Sequence, residues 1–500
     1  MFGIIVCGVL VSLISWIYLR WRNVREYWAR RGVPHLPPHP LMGSLTFLQQ
    51  KNPALWMIDT YKQFKKPYVG IWLFWRPALI INSPEIARNI LIKDFDNFRN
   101  RFMKPGSFDP FKNSLFTAND PMWSSMRRGL TSVFTSSKLK SMQGLFDQKA
   151  NDLIQRIKNT KDTSKLEIRS LLTDYTTDLI ATAAFGVETT ATRTGEDPIR
   201  TVTNTLMTFD WYKGLCWSTI FFFPKLTECF RFPIFSESST QFFKKVFETV
   251  SKQRRDNGIK EVKDLLDAIL KLKDDDLENK QGYTDNDIWA QAVTFLFAGF
   301  ETSSSVLSFM LYELSFRPDL QEKMYEELIE AKKSQNGPLD LTIQADLKYL
   351  NCVFKEALRM YPPLGWLDRE TLNDYKVDEN LTIPAGTPIY VNGIGMQYDS
   401  DVYPDPETFN PERFLPENEK DLKPFTYMPF GEGPRSCIAK RFAQISVRNA
   451  MSYLVLNFKF KPLPGAPKPS EVKYENKHLF LVPGESLFID FEPRNVSVSF

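Results

Sequence analysis

The chain contains the stretch Phe430-Gly431-Glu432-Gly433-Pro434-Arg435-Ser436-Cys437-Ile438-Ala439, and the rest of the sequence is best understood from it. Gly431 and Gly433 accept backbone angles that other residues resist, and Pro434 fixes its own φ, so a tight loop is predicted. The loop presents one cysteine and then opens a helix. A thiolate at a helix N-terminus with Arg435 nearby is expected to stay deprotonated and to bind a soft or borderline metal. Taken alone, an unreactive free cysteine beside a turn is the simpler interpretation.

The spacing of this loop matches a known pattern. Phe430-x-x-Gly433-x-Arg435-x-Cys437-x-Ala439 resembles the haem-binding signature of the cytochrome P-450 family, the haem-thiolate monooxygenases. The resemblance implies that Cys437 is the metal ligand, bound to the iron of haem b, and that the other four residues belong to the haem site. The family pattern has Gly where this chain has Ala439. One methyl group in a helix packed against the porphyrin is expected to alter haem seating slightly without preventing binding.

Length and composition fit one large domain behind an N-terminal appendage. The 500 residues can bury a large core, and no Pro/Gly/Ser-rich linker or internal repeat divides them. The net charge of +4 is small for this length, so nothing indicates a nucleic-acid partner. The five cysteines are scattered, which indicates a reducing compartment. Of three histidines, two lie in a Pro-rich segment near the N-terminus, so a histidine-ligated metal in the core is disfavoured.

Residues 1–20 are predicted to form a transmembrane anchor. Phe2 to Leu19 contains no charged residue and, as a helix, spans about 27 Å, close to the hydrocarbon thickness of a bilayer. Arginines follow at once and are expected to stay in the cytosol. Residues 21–45 then form a basic, Pro-rich hinge, and residues 46–500 the haem-binding catalytic domain. The resemblance implies the endoplasmic reticulum membrane, with the catalytic domain facing the cytosol.

The resemblance implies a mainly α fold with small β-sheets (α+β), arranged around a long central helix. Locally, 68–75 and 78–82 are predicted to pair as strands around a turn at Arg76-Pro77. The loop 101–119 carries four phenylalanines and is expected to fold inward, although ordinary core packing explains any one of them equally well. The segment 217–224 is either a second membrane contact, as the resemblance implies, or a buried segment. The charged stretch 271–280 is predicted to be a solvated loop.

Trp123 and Arg127 are four residues apart, so on a helix they share a face. An indole N–H and a guanidinium aimed the same way form a receptor for a carboxylate. The pair resembles the family's Trp-x-x-x-Arg motif, in which both residues hold a haem propionate, although the motif alone is common. The resemblance also makes Arg369 a propionate ligand. Gln397 stands where a family histidine often contacts a propionate, and its amide is expected to donate a hydrogen bond there.

A long helix is predicted to cross the core. Thr284 with Asp287 three residues later resembles a capping box, and Arg317-Pro318 ends the run after Phe316. The helix is therefore about 48 Å long at the standard rise.

The centre of that helix carries a second motif. Ala298 and Gly299 leave room for a flat ligand, and Gly299 and Thr302 predict a local distortion. An acid beside a hydroxyl, here Glu301 and Thr302, can relay protons into a dry site. This resembles the family's Ala-Gly-x-(Asp/Glu)-Thr motif, in which acid and threonine are catalytic. An unremarkable buried Ser/Thr cluster is the alternative.

Glu356 and Arg359 stand at i, i+3 on an apolar helix, so the pair is expected to be buried and to need a further partner. They resemble the family's Glu-x-x-Arg motif, which makes Arg413 the third member of a structural triad that locks the loop presenting Cys437. Near the end of the chain, 479–487 is predicted to be a hairpin that turns at Pro483-Gly484, with a tip that enters the substrate site.

The resemblance implies a monooxygenase that inserts one oxygen atom from O2 into an apolar small molecule, such as a xenobiotic, a lipid or a steroid-like compound. It is closest to animal microsomal members, including invertebrate xenobiotic-metabolising enzymes. The sequence has no flavin or nicotinamide signature, so the electrons come from a partner: an NADPH-dependent reductase, with cytochrome b5 as a further candidate. The basic residues of the candidate docking face, for which simple solvation is the alternative, are Arg128, Lys138, Lys140, Lys423, Lys440 and Arg441.

Two other functions fit the same cofactor. One is an isomerase or dehydratase of oxygenated lipids, and the other is a non-enzymatic haem carrier or gas sensor. The intact Glu301-Thr302 pair argues against both, and the Phe-rich site argues against the second. NADPH consumption without product across many substrates would favour the carrier or sensor.

Overall fold

The computed structural model describes residues 2–256, 264–279, 282–335 and 339–494. Within them the α-helices are α1 Phe2–Arg25, α2 Pro53–Phe64, α3 Pro84–Arg88, α4 Met122–Thr131, α5 Ser136–Ser141, α6 Gln143–Asn159, α7 Ile168–Phe185, α8 Ala191–Thr194, α9 Pro198–Met207, α10 Trp211–Phe222, α11 Pro224–Phe230, α12 Glu237–Asp256, α13 Leu265–Asn279, α14 Asp285–Ser315, α15 Pro318–Lys333, α16 Leu341–Asp346, α17 Lys348–Met360, α18 Gly393–Gln397, α19 Pro416–Glu419 and α20 Lys440–Asn457. The strands are β1 Tyr68–Leu73, β2 Arg76–Ile81, β3 Leu367–Glu370, β4 Tyr375–Lys376, β5 Thr382–Ile383, β6 Pro388–Val391, β7 Phe458–Pro462 and β8 Ile489–Pro493.

Helix α14 forms the axis of the core, as the sequence predicts. The Thr284 hydroxyl accepts from the amide of Asp287, and the Asp287 carboxylate accepts from the amide of Thr284, so the capping box is complete. The helix ends at Ser315, one residue earlier than predicted, and Phe316 is its C-cap residue before Arg317-Pro318. Most of its residues are buried, and it packs along α7 and against α13, α17 and α20. Elements on all sides therefore meet at this helix.

The strands form small sheets at the edge of the helical core. The largest has the order β1-β2-β6-β3, in which β1 pairs antiparallel with β2, β2 parallel with β6, and β6 antiparallel with β3. Leu73 pairs with Arg76, so the turn consists of Phe74 and Trp75. The predicted turn at Arg76-Pro77 is wrong by two residues, because Phe74 adopts a positive φ of 53° and Pro77 is accommodated inside β2. The mainly α architecture with small sheets is confirmed.

Three sequence predictions about the periphery have clear outcomes. Helix α1 is exposed along its length and is long and apolar enough to cross a membrane. The segment 217–224 is largely buried within and after α10, which favours the second of the two interpretations. The predicted solvated loop at 271–280 is wrong, because the described part of it lies in α13. Its apolar face packs against α4 and α14, and this packing outweighs the local charge.

Candidate active site

The loop before α20 has the shape that its glycines predict. Gly431 and Gly433 have φ values of 69° and 73°. A Cβ atom at position 433 would lie 2.0 Å from the carbonyl oxygen of Leu91, so only glycine fits there. The amide of Cys437 donates to the Phe430 carbonyl oxygen at 2.8 Å and closes the loop. The chain then enters α20 through Ala439, which occupies the N-cap position.

The Cys437 side chain is accessible, although it lies deep among other residues. Burial raises the pKa of its thiol, while the amide of Ala439 and the charges of Arg127 and Lys440 act in the opposite direction. The expectation that Arg435 keeps this sulfur ionised is therefore wrong. Arg435 donates to the Ala118 carbonyl at 2.9 Å, and its guanidinium lies 4.1 Å from the centre of the Trp123 ring. A metal ion that takes the place of the thiol proton would stabilise the buried thiolate, which Arg435 does not do.

Three buried arginines, Arg101, Arg369 and Arg435, lie close together at this loop. Their charges and free donors indicate whether haem fits the site. Burial and mutual repulsion lower the pKa of Arg369 to about 9 and that of Arg435 to about 8. Arg101 pairs with Asp368 at 2.7 Å, which leaves the group with excess positive charge. In the described part of the chain, Arg101 Nε, Arg369 Nε and Arg435 Nη1 have no hydrogen-bond partner. Buried cations with free donors require anions, and the two propionates of haem meet that requirement. Arg101 was missed by the sequence analysis.

Helix α4 places Trp123 and Arg127 beside the same loop. Trp123 is buried and Arg127 is half-buried. Burial lowers the pKa of the Arg127 guanidinium, and the charge of a Cys437 thiolate opposes this effect, which shows that the two side chains are close. The arrangement fits the predicted carboxylate receptor, since a bound anion would offset the cost of burying the positive charge of Arg127.

On α14, the stretch around Ala298 differs from the rest of the helix. Ala298 is exposed and Thr302 is partly exposed, although the neighbouring turns are buried. The Thr302 hydroxyl donates to the Ala298 carbonyl oxygen at 2.7 Å, while the helix stays continuous, so the predicted distortion does not break it. A Cβ atom at Gly299 would lie 2.7 Å from Cγ1 of Ile180 in α7. Gly299 therefore admits a neighbouring helix, and of the two small residues only Ala298 leaves room for a flat ligand.

Glu301 points away from Thr302. Its carboxylate is 1 % exposed, and Oε1 accepts a hydrogen bond from Arg169 Nη2 at 2.7 Å. Consecutive helix residues diverge by about 100°, and among the described residues no hydrogen bond joins Glu301 to Thr302. The expectation of an acid directly beside the hydroxyl is wrong in this respect. The sequence analysis missed Arg169 and also His478, whose Nε2 lies 4.0 Å from Glu301 Oε1.

Glu356, Arg359 and Arg413 lie together. Arg359 donates two parallel hydrogen bonds to Glu356, at 2.7 and 2.9 Å, and both side chains are fully buried. Arg413 Nε lies 3.5 Å from Glu356 Oε1. Arg359 also donates to the carbonyl oxygens of Gln397 and Pro406, both at 2.8 Å. The ion pair thus joins α17 to the chain that leads toward the Cys437 loop.

Gln397 has a different role from the one expected. Its side-chain amide donates to the carbonyl oxygens of Leu358 and Arg359, and its oxygen accepts from the amide of Met428 at 3.2 Å. Both amide hydrogens are therefore engaged within the protein. The prediction of a hydrogen bond from this residue to a propionate is wrong, because Gln397 instead connects α17 to the approach to the cysteine loop.

A largely apolar cavity lies against α14 at Thr294 and Phe297. It is enclosed by α10, the loop 101–119, the segment between α11 and α12, α14 and one residue near the C-terminus. Its lining includes Phe111, Phe116, Trp217, Phe221, Phe297 and Phe480. The predicted inward folding of the Phe-rich loop agrees with this, since Phe102 and Phe111 are buried.

Phe480 reaches the cavity from a hairpin-like segment whose turn differs from the predicted one. Tyr474 pairs with Pro483, and the Glu475 amide donates to the Val482 carbonyl oxygen. Pro483-Gly484 therefore lies in an arm of the segment, and residues 476–481 form the tip. The predicted tip at Pro483-Gly484 is wrong, because the turn depends on this pairing rather than on the Pro-Gly dipeptide. The observed tip contributes Phe480 to the cavity.

An accessible cysteine on a rigid loop, a buried arginine cluster and an open turn of the central helix define a haem-thiolate site. Among the described residues there is no group of three or more His, Cys, Asp or Glu side chains that could hold a metal ion. The family model for cytochrome P450 matches residues 33–489. The chain therefore belongs to the cytochrome P450 family.

Individual relatives support the same assignment. The chain is 33 % identical to "Cytochrome P450 6k1" of Blattella germanica, covering 96 % of this chain and 97 % of that protein. It is 35 % identical to "Cytochrome P450 6a2" of Drosophila melanogaster, covering 90 % and 91 %. It is 33 % identical to "Cytochrome P450 6A1" of Musca domestica, covering 97 % and 96 %. These relatives come from insects, in agreement with the predicted invertebrate branch. The chain is accordingly a haem-dependent monooxygenase, and its cofactor is haem b.

Proposed function

We propose that the protein is a membrane-anchored monooxygenase that inserts one oxygen atom from O2 into an apolar small molecule, such as a xenobiotic, a lipid or a steroid-like compound. The observation that carries this proposal is the aromatic cavity against α14, lined by Phe297 of that helix. Its lining offers ring faces and few polar partners, so it favours apolar ligands that bury well and excludes charged ones. Haem, when bound, supplies the activation of oxygen.

Different residues of the chain bind different parts of that cofactor. Cys437 is the metal ligand, and the shape of its loop depends on Phe430, Gly433 and Ala439. Arg369 and Arg435, with Trp123 and Arg127 on α4, bind the propionates, and Arg101 joins this group because its Nε lacks a partner in the described chain. Ala298, exposed on α14, would leave room for the flat porphyrin. The residues of the structural triad are Glu356, Arg359 and Arg413.

Thr302 and Glu301 are the proton donors of the proposed mechanism. Thr302 is partly exposed at the Ala298 turn, so its hydroxyl can hold a proton at the edge of the site. Glu301 is buried behind it, with Oε2 lacking a partner in the described part of the protein. Transfer from the carboxyl to the hydroxyl requires a bridging water molecule or a rotation of Glu301, since the two side chains diverge.

The electrons come from an NADPH-dependent reductase, with cytochrome b5 as a further candidate donor. Arg128, Lys140, Lys440 and Arg441 are exposed, which supports a basic docking face for an acidic partner. In the proposed organisation, residues 1–20 anchor the protein in the endoplasmic reticulum membrane, residues 21–45 form the hinge, and residues 46–500 form the catalytic domain in the cytosol. Helix α1 continues to Arg25, so the anchor helix extends into the hinge.

The test is turnover of the membrane-bound holoenzyme with reductase, NADPH and isotopically labelled O2 across a panel of apolar compounds. The expected result is NADPH-dependent product that carries one labelled oxygen atom. Product formed without NADPH would instead indicate an isomerase or dehydratase. NADPH consumption without product across the panel would indicate a carrier or sensor, and either of these results would contradict the proposal.

A further inference from the structure

His478 is a buried histidine in the tip segment 476–481. Its ring is 1 % exposed and lies with its centre 4.1 Å from that of Phe209. Nδ1 accepts a hydrogen bond from the amide of Phe480 at 2.9 Å. Burial, assisted by the charges of Arg169 and Lys213, lowers the pKa of His478 well below its usual value. The imidazole is therefore neutral, and because Nδ1 accepts, its single proton resides on Nε2.

That Nε2–H group faces the buried acid of α14. The distance from His478 Nε2 to Glu301 Oε1 is 4.0 Å. In the described chain neither Nε2 of His478 nor Oε2 of Glu301 has a hydrogen-bond partner, although both side chains are almost completely buried. A buried donor and a buried acceptor left unpaired are costly. A shift of about 1 Å brings the Nε2–H group within hydrogen-bond distance of Oε1, and one bridging water molecule between Nε2 and Oε2 satisfies both unpaired atoms.

The same histidine is connected to the substrate cavity through one peptide group. Phe480, whose amide binds His478, lines the cavity with its ring, 6.1 Å from the ring centre of Phe297 and 6.3 Å from that of Trp217. The next residue is fixed to α14, because Ser305 donates to the Leu481 carbonyl oxygen at 2.9 Å. The backbone of His478 and Phe480 is held too, because Asn52 Nδ2 donates to both carbonyl oxygens at 3.1 Å. A ligand that displaces the Phe480 ring therefore acts on the imidazole through the hydrogen bond between the Phe480 amide and Nδ1.

We infer that His478 is a positioning residue for Glu301: its Nε2–H group orients the Glu301 carboxylate, and Phe480 couples that orientation to occupancy of the substrate cavity. Arg169 holds Glu301 Oε1 at 2.7 Å and no group in the described chain bonds Oε2, so a second donor beside the carboxylate decides its orientation. The consequence is that a bound ligand alters the proton source before turnover begins. The inference rests on the proposed role of Glu301 in proton delivery.

A matched pair of variants separates the two contacts of the imidazole. His478→Asn places an acceptor near the position of Nδ1 and removes the donor toward Glu301. His478→Gln places an amide donor near the position of Nε2. The direct measurement is the infrared difference spectrum of the full-length holoenzyme with and without naphthalene as the apolar probe, compared with that of Glu301→Gln. The expected result is a carboxylate band change in the native protein that is absent in Glu301→Gln and His478→Asn and present in His478→Gln.

A second measurement is the hydrogen peroxide released per NADPH consumed in the presence of naphthalene and reductase. His478→Asn is expected to raise this ratio about fivefold, the effect of one net hydrogen bond, and His478→Gln to restore most of the native value. Naphthalene affinity, followed by absorbance titration, is expected to stay within about twofold in both variants.

The outcomes distinguish the inference from the proposed function. If Glu301→Gln leaves peroxide release unchanged, the proposed role of Glu301 fails. If Glu301→Gln raises it but His478→Asn behaves like the native protein, only the inference about His478 is overturned. The inference also fails if the native protein shows no carboxylate band change, or if the Asn and Gln variants at position 478 are equally impaired, because a purely structural histidine would give that result.

Discussion

The cysteine loop and the aromatic cavity are built by different means. The loop is fixed by backbone hydrogen bonds, by a glycine that no other residue can replace, and by the buried ion pair of Glu356 and Arg359. The cavity is fixed by packed rings such as Phe297 and Phe480, whose planes are tilted by 40°. Charge pairs and backbone bonds have strict geometry, whereas ring packing tolerates substitution. The position of Cys437 is therefore rigidly fixed, whereas the shape of the cavity, and with it the choice of ligand, tolerates substitution.

The largest effect is expected from Glu356→Ala, which leaves Arg359 buried without a counter-charge. The loss is about 3–5 kcal/mol in the free energy of unfolding, measured by urea denaturation of the holoenzyme. The control is Glu379→Ala, which removes an exposed ion pair with Lys376 and is expected to cost no more than about 1 kcal/mol. Equal losses in the two variants would show that the loop does not depend on buried charge.

Next in size is the effect of Arg369→Leu on haem retention. Burial lowers the pKa of this arginine to about 9, so its charge is unfavourable without an anion. The variant is expected to release haem at least about tenfold faster, while the apoprotein is no less stable than the native apoprotein. Haem transfer to an acceptor protein measures the first quantity, and urea denaturation the second. The partly exposed Arg76, which pairs with Glu370, provides the control variant Arg76→Leu. Unchanged haem release in Arg369→Leu would contradict its assignment.

An intermediate effect on the free energy of unfolding is expected when the pH is lowered, because His478 is buried. Folded His478 stays neutral, while unfolded histidine takes up a proton as the pH falls below about 6.5, so acid favours the unfolded state. The groups that face this ring are Arg169, Lys213 and Glu301. Below that pH the contribution is at most about 1.4 kcal/mol per pH unit. His478→Asn is expected to lose less stability than the native protein between neutral and mildly acidic pH. Parallel losses in denaturation experiments would show that His478 is not held neutral.

The smallest effect is expected within the cavity wall. Phe221 lines the cavity, whereas Phe222 packs against Trp366 and Tyr390 outside it. Changing either to leucine should cost on the order of 1 kcal/mol of stability. Only Phe221→Leu is expected to change the dissociation constant of an apolar ligand, by about threefold. Absorbance titrations would measure it, and an equal change in Phe222→Leu would show that the wall is not specific.

The same contrast explains what the sequence could predict. The ends of α14 follow from local signals, a capping box and a proline, and both were predictable. The φ values of Gly431 and Gly433 were predictable for the same reason. The orientation of a long side chain depends instead on partners distant in sequence. Glu301 turns toward Arg169, 132 positions earlier in the chain, and no local pattern contains that information.

Two further differences have the same cause. Gln397 was expected at a propionate because its position in the chain matches a family histidine, but α17 offers two carbonyl oxygens that take its amide hydrogens. Arg435 was expected at the cysteine, but the carbonyl oxygen of Ala118 and the ring of Trp123 hold it elsewhere. Residue identity at a motif position was therefore informative, whereas the atom contacted by that residue required the tertiary structure.

The central claim, that Cys437 is the ligand of the haem iron, is tested most directly by the absorption spectrum of the reduced, carbon monoxide-bound protein. Native protein and the control variant Cys352→Ser, which alters a buried cysteine elsewhere, are expected to show the band characteristic of thiolate ligation. Cys437→Ser is expected to lose that band even where haem is retained. An identical spectrum in Cys437→Ser and the native protein would contradict the account.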